Sequence, residues 1–135
     1  MKRYITFAIL AFVLLQGSMA QTIVKPSVKT KTSFAIVTDT KSYEEAKEEI
    51  DAYRASVEQE GLGTYLVIDD WKTPQPIREV LQTLHEDKKS PLEGCVLVGD
   101  IPVPMIRDAQ HLCSAFKMNQ TMDWQRSSVP SDRYY

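Results

Sequence analysis

Three short apolar runs punctuate the chain, and each ends in acid. Phe34-Ala35-Ile36-Val37 leads into Thr38-Asp39, Tyr65-Leu66-Val67-Ile68 into Asp69-Asp70, and Cys95-Val96-Leu97-Val98 into Gly99-Asp100. Runs without polar alternation are expected where both faces of a strand are covered, as in parallel sheets flanked by helices. The segments between them have helical spacing. Ser42 and Glu45 form a capping-box pattern, Tyr43, Ala46, Ile50, Tyr53 and Val57 follow as one stripe, and Gly61 offers a left-handed stop. Glu44, Glu45, Lys47, Glu48 and Glu49 read as the solvated face of this helix. A second helix is predicted from Thr73-Pro74, with Ile77, Val80, Leu81 and Leu84 at i, i+3, i+4 and i+7. Its end falls near Lys88 and Lys89, whose charges suit a helix C-terminus, with Pro91 beyond. The result is β-α-β-α-β: an α/β class with a parallel sheet, flanking helices and right-handed crossovers.

The ends are less regular. Lys2 and Arg3 precede an apolar run from Ile5 to Leu15, and Ser18-Met19-Ala20 supplies small residues at the −3 and −1 positions of a cleavage site. A membrane span needs roughly 20 apolar residues, about twice this run. Residues 1–20 therefore read as a signal peptide. The mature chain is expected to be exported, as a secreted, periplasmic or cell-surface protein, with no membrane span after cleavage. Residues 21–33 are polar and read as a flexible lead-in, and residues 34–135 as one α/β domain. After Pro104, Ile106, Ala109, Leu112, Cys113 and Phe116 have approximate helical spacing, while Asn119 to Ser131 reads as loop. Three parallel strands make a thin sheet with exposed edges, so the domain is expected to be incomplete, either shortened or completed by a partner.

Charge narrows the function classes. Lys2 and Arg3 account for two of the 16 basic residues, so after cleavage 14 face 18 acids and the net charge is about −4. A nucleic-acid partner is not expected, because such proteins carry a basic face. A composition with 43% hydrophobic and 25% charged residues belongs to a folded chain rather than a disordered one. Export permits a bridge between Cys95 and Cys113, but two buried thiols are the commoner outcome for so small a number.

The strand-end acids are the chemical candidates. Carboxyl ends of parallel strands form the functional edge of open sheets, and clustered carboxylates there suit a hard cation such as Ca²⁺. The commoner role of Asp at these positions is to turn a strand or cap a helix. No cofactor is required by any motif. Nucleophilic pairs fail on geometry: His111 and Cys113, two apart, point to different faces of a helix, and Cys95 lies inside an apolar strand. His85 reads as a surface residue beside the apolar stripe of the second helix. Ile101 stands where a Gly-Asp-Ser esterase would need its serine, and no Gly-rich phosphate loop follows the first strand. No catalytic residue is assigned.

Cys95-Val-Leu-Val-Gly-Asp-Ile-Pro-Val-Pro104 and Pro130-Ser-Asp-Arg-Tyr-Tyr135, in this order after a β-α-β-α lead-in, resemble the gingipain-type cysteine peptidases of the caspase-like superfamily. The likeness spans Phe34 to Tyr135. It implies a caspase-like (broadly Rossmann-like) sheet and cleavage of a protein or peptide substrate by a Cys nucleophile that a His activates, through a thioester. In that family the dyad lies on later strands, so the resemblance makes this chain the N-terminal part of the catalytic domain, inactive alone. Asp100 and Asp132 match motif positions, which implies structural or cation-binding roles at the site edge. With Asp39 and Asp69 they form the candidate metal set. The alternative is a non-catalytic exported α/β binding module.

Overall fold

The computed structural model describes residues 21–107, Thr121, Asp123 and residues 128–135. Residues 1–20, expected to be a signal peptide, lie outside the described residues. Three parallel strands form the body of a four-stranded sheet: β2 (Ser33–Thr38), β3 (Gly63–Ile68) and β4 (Leu92–Val98). The fourth strand, β1 (Thr22–Val24), runs antiparallel to β3, and the order across the sheet is β1-β3-β2-β4. Helices α1 (Thr40–Glu45) and α2 (Lys47–Gln59) join β2 to β3, and α3 (Pro74–His85) joins β3 to β4. The class is thus α/β with a mostly parallel sheet, as the apolar runs predict.

Alternation along the strands divides the core into two layers. Ala35 and Val37 of β2, Tyr65 and Val67 of β3, and Cys95 and Leu97 of β4 pack with Ile77, Val80 and Leu81 of α3. The intervening positions, Phe34 and Ile36, Leu66 and Ile68, Val96 and Val98, pack with Tyr43, Ala46 and Ile50. Both sheet faces are covered, so the strands carry apolar residues at successive positions instead of every second one. Ala35, Ile36 and Val37 have no exposure at all.

Local differences from the sequence expectation have physical causes. The first helix is capped by Asp39, whose Oδ1 accepts the Ser42 amide at 2.9 Å, so Ser42 is the third helical residue and not the cap. The expected single helix is two, broken at Ala46, which sits at φ −125°, ψ 31°. Ile50 is buried, whereas Tyr53, expected on the same stripe, is 46% exposed. Gly61 does take the left-handed conformation, at φ 94°. Helix α3 follows the predicted stripe, with Thr73 as its N-cap and Pro74 at its first turn, and ends at His85, before the two lysines.

The polar stretch 21–33, expected as a flexible lead-in, holds β1 and is tied to α2. Arg54 donates from Nε to the Thr64 carbonyl at 3.0 Å and from its terminal nitrogen to the Lys25 carbonyl. Glu58, its side chain 8% exposed, accepts the Ser27 amide at 2.9 Å and the Ser27 hydroxyl. After β4 the expected third helix does not begin at Ile106. Met105–Arg107 forms β5, paired antiparallel with β6 (Ser128–Pro130), inside the stretch expected as loop. Residues 108–120, with His111 and Cys113, lie outside the described residues, as does Trp124.

Ile77 has no exposure and lies at the centre of the α3 layer. Ile77→Ala is expected to cost about 2–5 kcal/mol, read as a lower denaturation midpoint in urea with an unchanged slope.

Candidate functional site

The exits of the three parallel strands meet at one edge, and the end of β2 is their common anchor. The Thr38 carbonyl accepts the Asp69 amide at 3.3 Å and the Trp71 indole Nε1–H at 2.9 Å, fastening the end of β3. Asp39 Oδ2 accepts the Asp100 amide at 2.7 Å, fastening the end of β4. Gly99 makes that approach feasible. It sits at φ 89°, and an added Cβ would overlap both Asp39 Oδ2 and Ser42 Oγ.

Topology marks this edge as the place to look for a ligand. From β2 the chain moves to β3 on one side; from β3 it crosses back over β2 to β4, on the opposite face of the sheet. The crevice between the ends of β2 and β4 is therefore a switch point, where open α/β sheets bind ligands. A cleft of about 400 Å³ opens there, lined by Asp39, Lys41, Ser42, Glu45, Asp70, Trp71, Lys72 and Asp100.

The cleft's charges have distinct tasks. Asp39 is buried, at 7% exposure, while Asp70 and Asp100 are exposed. Burial pushes the Asp39 carboxyl up, but bonds from the Ser42 hydroxyl and from the Ser42 and Asp100 amides outweigh it and hold the group below the ordinary carboxylate value. Asp39 thus stays ionised as the fastener of the edge. Lys41 pairs loosely with Glu45, at 3.8 Å, on the open rim.

The four acids of the candidate metal set are not brought together. Asp39 and Asp100 share the cleft with Asp70. Asp69 turns away: its Oδ1 takes the Asp70 amide at 2.7 Å, and it lines two other clefts, one with Gln21 and Ile23, one with Thr40 and Tyr43. Asp132 lies in the 3-10 turn Asp132–Tyr134 beyond β6. Among the described residues no three His, Cys, Asp or Glu are grouped to hold a metal ion. Among the described residues, too, no helix is long and apolar enough to cross a membrane.

The candidate nucleophile and base are accounted for otherwise. Cys95 is a free, half-buried thiol. Burial, with a smaller contribution from the Asp132 charge, pushes its pKa up, which removes the thiolate needed for attack. His85 places Nδ1 2.9 Å from the Leu92 carbonyl, at the opposite end of the sheet from the cleft.

Sequence reasoning missed the clasp that closes this edge. Ser131 donates its amide to the Pro104 carbonyl at 3.0 Å, and Tyr135 donates its hydroxyl to the Pro102 carbonyl. Tyr135, like Cys95, Leu97 and Ile101, packs against the buried cluster of the α3 layer. Tyr134 donates to Gln75 Oε1 and lies under the Arg78 guanidinium, 5.1 Å from the ring centroid. The signal was the adjacent aromatic pair after Pro130, legible as a docking element but not as to where it docks.

No family model, no curated protein and no solved structure matches the chain. The reading of function thus stands on the residues and their geometry.

Gly99→Ala is expected to lower the melting temperature well beyond Gly61→Ala, because Gly61 has the same left-handed strain but no atom within 4 Å of an added Cβ. For Asp39, whose folded pKa lies below its unfolded value of 3.8, the stabilisation is present above that value and lost as pH falls through the folded pKa. Asp39→Asn should therefore melt lower than the parent at neutral pH, by an amount equivalent to about 1–3 kcal/mol, and the gap should shrink below pH ~3. Calorimetry of both proteins across pH 2–7 reads this directly.

Proposed function

We propose that the chain is the N-terminal, sheet-building portion of an exported gingipain-like cysteine endopeptidase. One observation carries the reading. The two stretches that resemble the family are separated by the 25 residues between Pro104 and Pro130, yet they are fastened to each other through Ser131–Pro104, Tyr135–Pro102 and the β5–β6 ladder. Motifs that share one structural purpose are expected to meet in space, and unrelated short matches have no reason to. The parallel order β3-β2-β4, with helices on both faces, supports the same reading. In it, the Gly99–Pro104 turn and the Ser131–Tyr135 clasp shape the edge of a sheet whose later strands bring the Cys and His to a peptide substrate.

A second reading has its own support. Among the described strands β4 has a neighbour only on its β2 side, and its sequence from Gly94 to Val98 carries no charge or proline to deter pairing. A non-catalytic exported module could use that edge to bind an extended partner strand.

The downstream reading frame separates the two. A frame that continues into a His-containing turn and a strand ending in Cys supports the peptidase. Its whole product should then cleave peptide amide substrates, in a panel that includes Arg- and Lys-containing ones, and lose that activity to iodoacetamide. A stop codon after Tyr135 removes the peptidase reading. Purified residues 21–135 are expected to cleave no Arg- or Lys-containing amide substrate, and thiol-dependent turnover by them would overturn the assignment of the chemistry to later strands.

A further inference from the structure

The start of the folded body coincides with the bond at which the signal peptide is expected to be cut. Cleavage after Ala20 makes Gln21 the first residue of the mature chain. Thr22 is already the first rung of the β1–β3 ladder, opposite Ile68. Gln21 lies one position outside that ladder, is exposed, and lines an open cleft with Asp69, Pro76 and Glu79. Gln21 is therefore outside the β1–β3 ladder, and its backbone is not fixed by a strand pairing.

We infer that Gln21 is a modification site, cyclised to pyroglutamate once the signal peptide is removed. The inference rests on the export reading. The unprotonated α-amine attacks the side-chain amide carbon of the same residue; a lactam C–N bond forms, the bond to the amide nitrogen breaks, and one ammonia leaves. No oxidant or second substrate is consumed.

The fold gives the modification a purpose. β1 is three residues long and, among the described strands, forms one edge of the sheet. An aminopeptidase acting outside the cell would remove Gln21, then Thr22, and each further step would erase one rung and uncover the β3 edge. A lactam has no free α-amine, so it blocks the first step. It also removes the positive charge that the new terminus would otherwise carry beside Asp69 and Glu79.

The test is peptide mass spectrometry on the protein recovered from its own cells and digested with trypsin. Pro26 hinders cleavage after Lys25, so the diagnostic peptide runs from Gln21 to Lys29. A synthetic linear peptide of that sequence, carried through the same digestion, controls for cyclisation during handling. The expected result is the native peptide lighter than the control by one ammonia and resistant to aminopeptidase until a pyroglutamyl peptidase is added. A native peptide that begins at Gln21 with the full mass overturns the inference and leaves export standing. A chain that still carries residues 1–20 overturns the export reading as well. In a Gln21→Ser variant cut at the same bond, the N-terminal residues should be lost to aminopeptidase, and equal resistance in variant and parent would likewise overturn the protective role.

Discussion

Strand β2 is buried at every position but Phe34, which is half-buried, and the rest of the molecule follows from that. Its two faces are covered by helices and its two edges by β3 and β4, so each backbone amide and carbonyl must find a partner within the protein. Six consecutive pairs to β3 meet this requirement on one edge, and pairing to β4 meets it on the other, with one register shift between Ser33 and Phe34. The difficulty arises where the ladder ends. Thr38 and Asp39 are still buried, and their polar groups answer it by binding the next residues of both neighbouring strands. The edge that holds the cleft is thus fastened by the same groups that complete the core.

This arrangement makes Asp39 a structural carboxylate. Both of its oxygens receive backbone amides, one from the first turn of α1 and one from the turn after β4. The exposed acids, Asp70 and Asp100, have the freedom that Asp39 lacks. The same division recurs at the far end of α2. There burial raises the Glu58 carboxyl, while Ser27, the Thr64 amide and Arg54 outweigh it and keep the group ionised as an anchor for the N-terminal segment. At both places a buried carboxylate joins segments distant in sequence by accepting their backbone amides.

The legible parts of the fold were those written in local pattern. Phe34–Val37, Tyr65–Ile68 and Cys95–Val98 announced buried strands because covering both faces demands apolar residues in succession. Ile77, Val80 and Leu81 announced a helix resting on that sheet, and they are buried where expected. β1 was not legible, because Thr22-Ile23-Val24 is too short to show a period and is surrounded by Lys, Thr and Pro. Its place depends on Arg54 and Glu58, some thirty positions later. β5 and β6 were hidden for a similar reason: three-residue strands gain their stability from each other, and neither carries a signal alone.

By itself the sequence determined the α/β class, the three parallel strands and the acid at each strand exit, because burial on two faces and helix periodicity are conditions that each segment must satisfy alone. Only the tertiary structure decided which acids share a cleft. Asp69 and Asp70 are neighbours in the chain, yet one turns toward β1 and the other toward the crevice between β2 and β4. That choice depends on the strand order and on a carbonyl at Thr38 that accepts both the Asp69 amide and the Trp71 indole. Long-range hydrogen bonds of this kind leave no periodic trace, since each partner needs only to arrive at the right point in space.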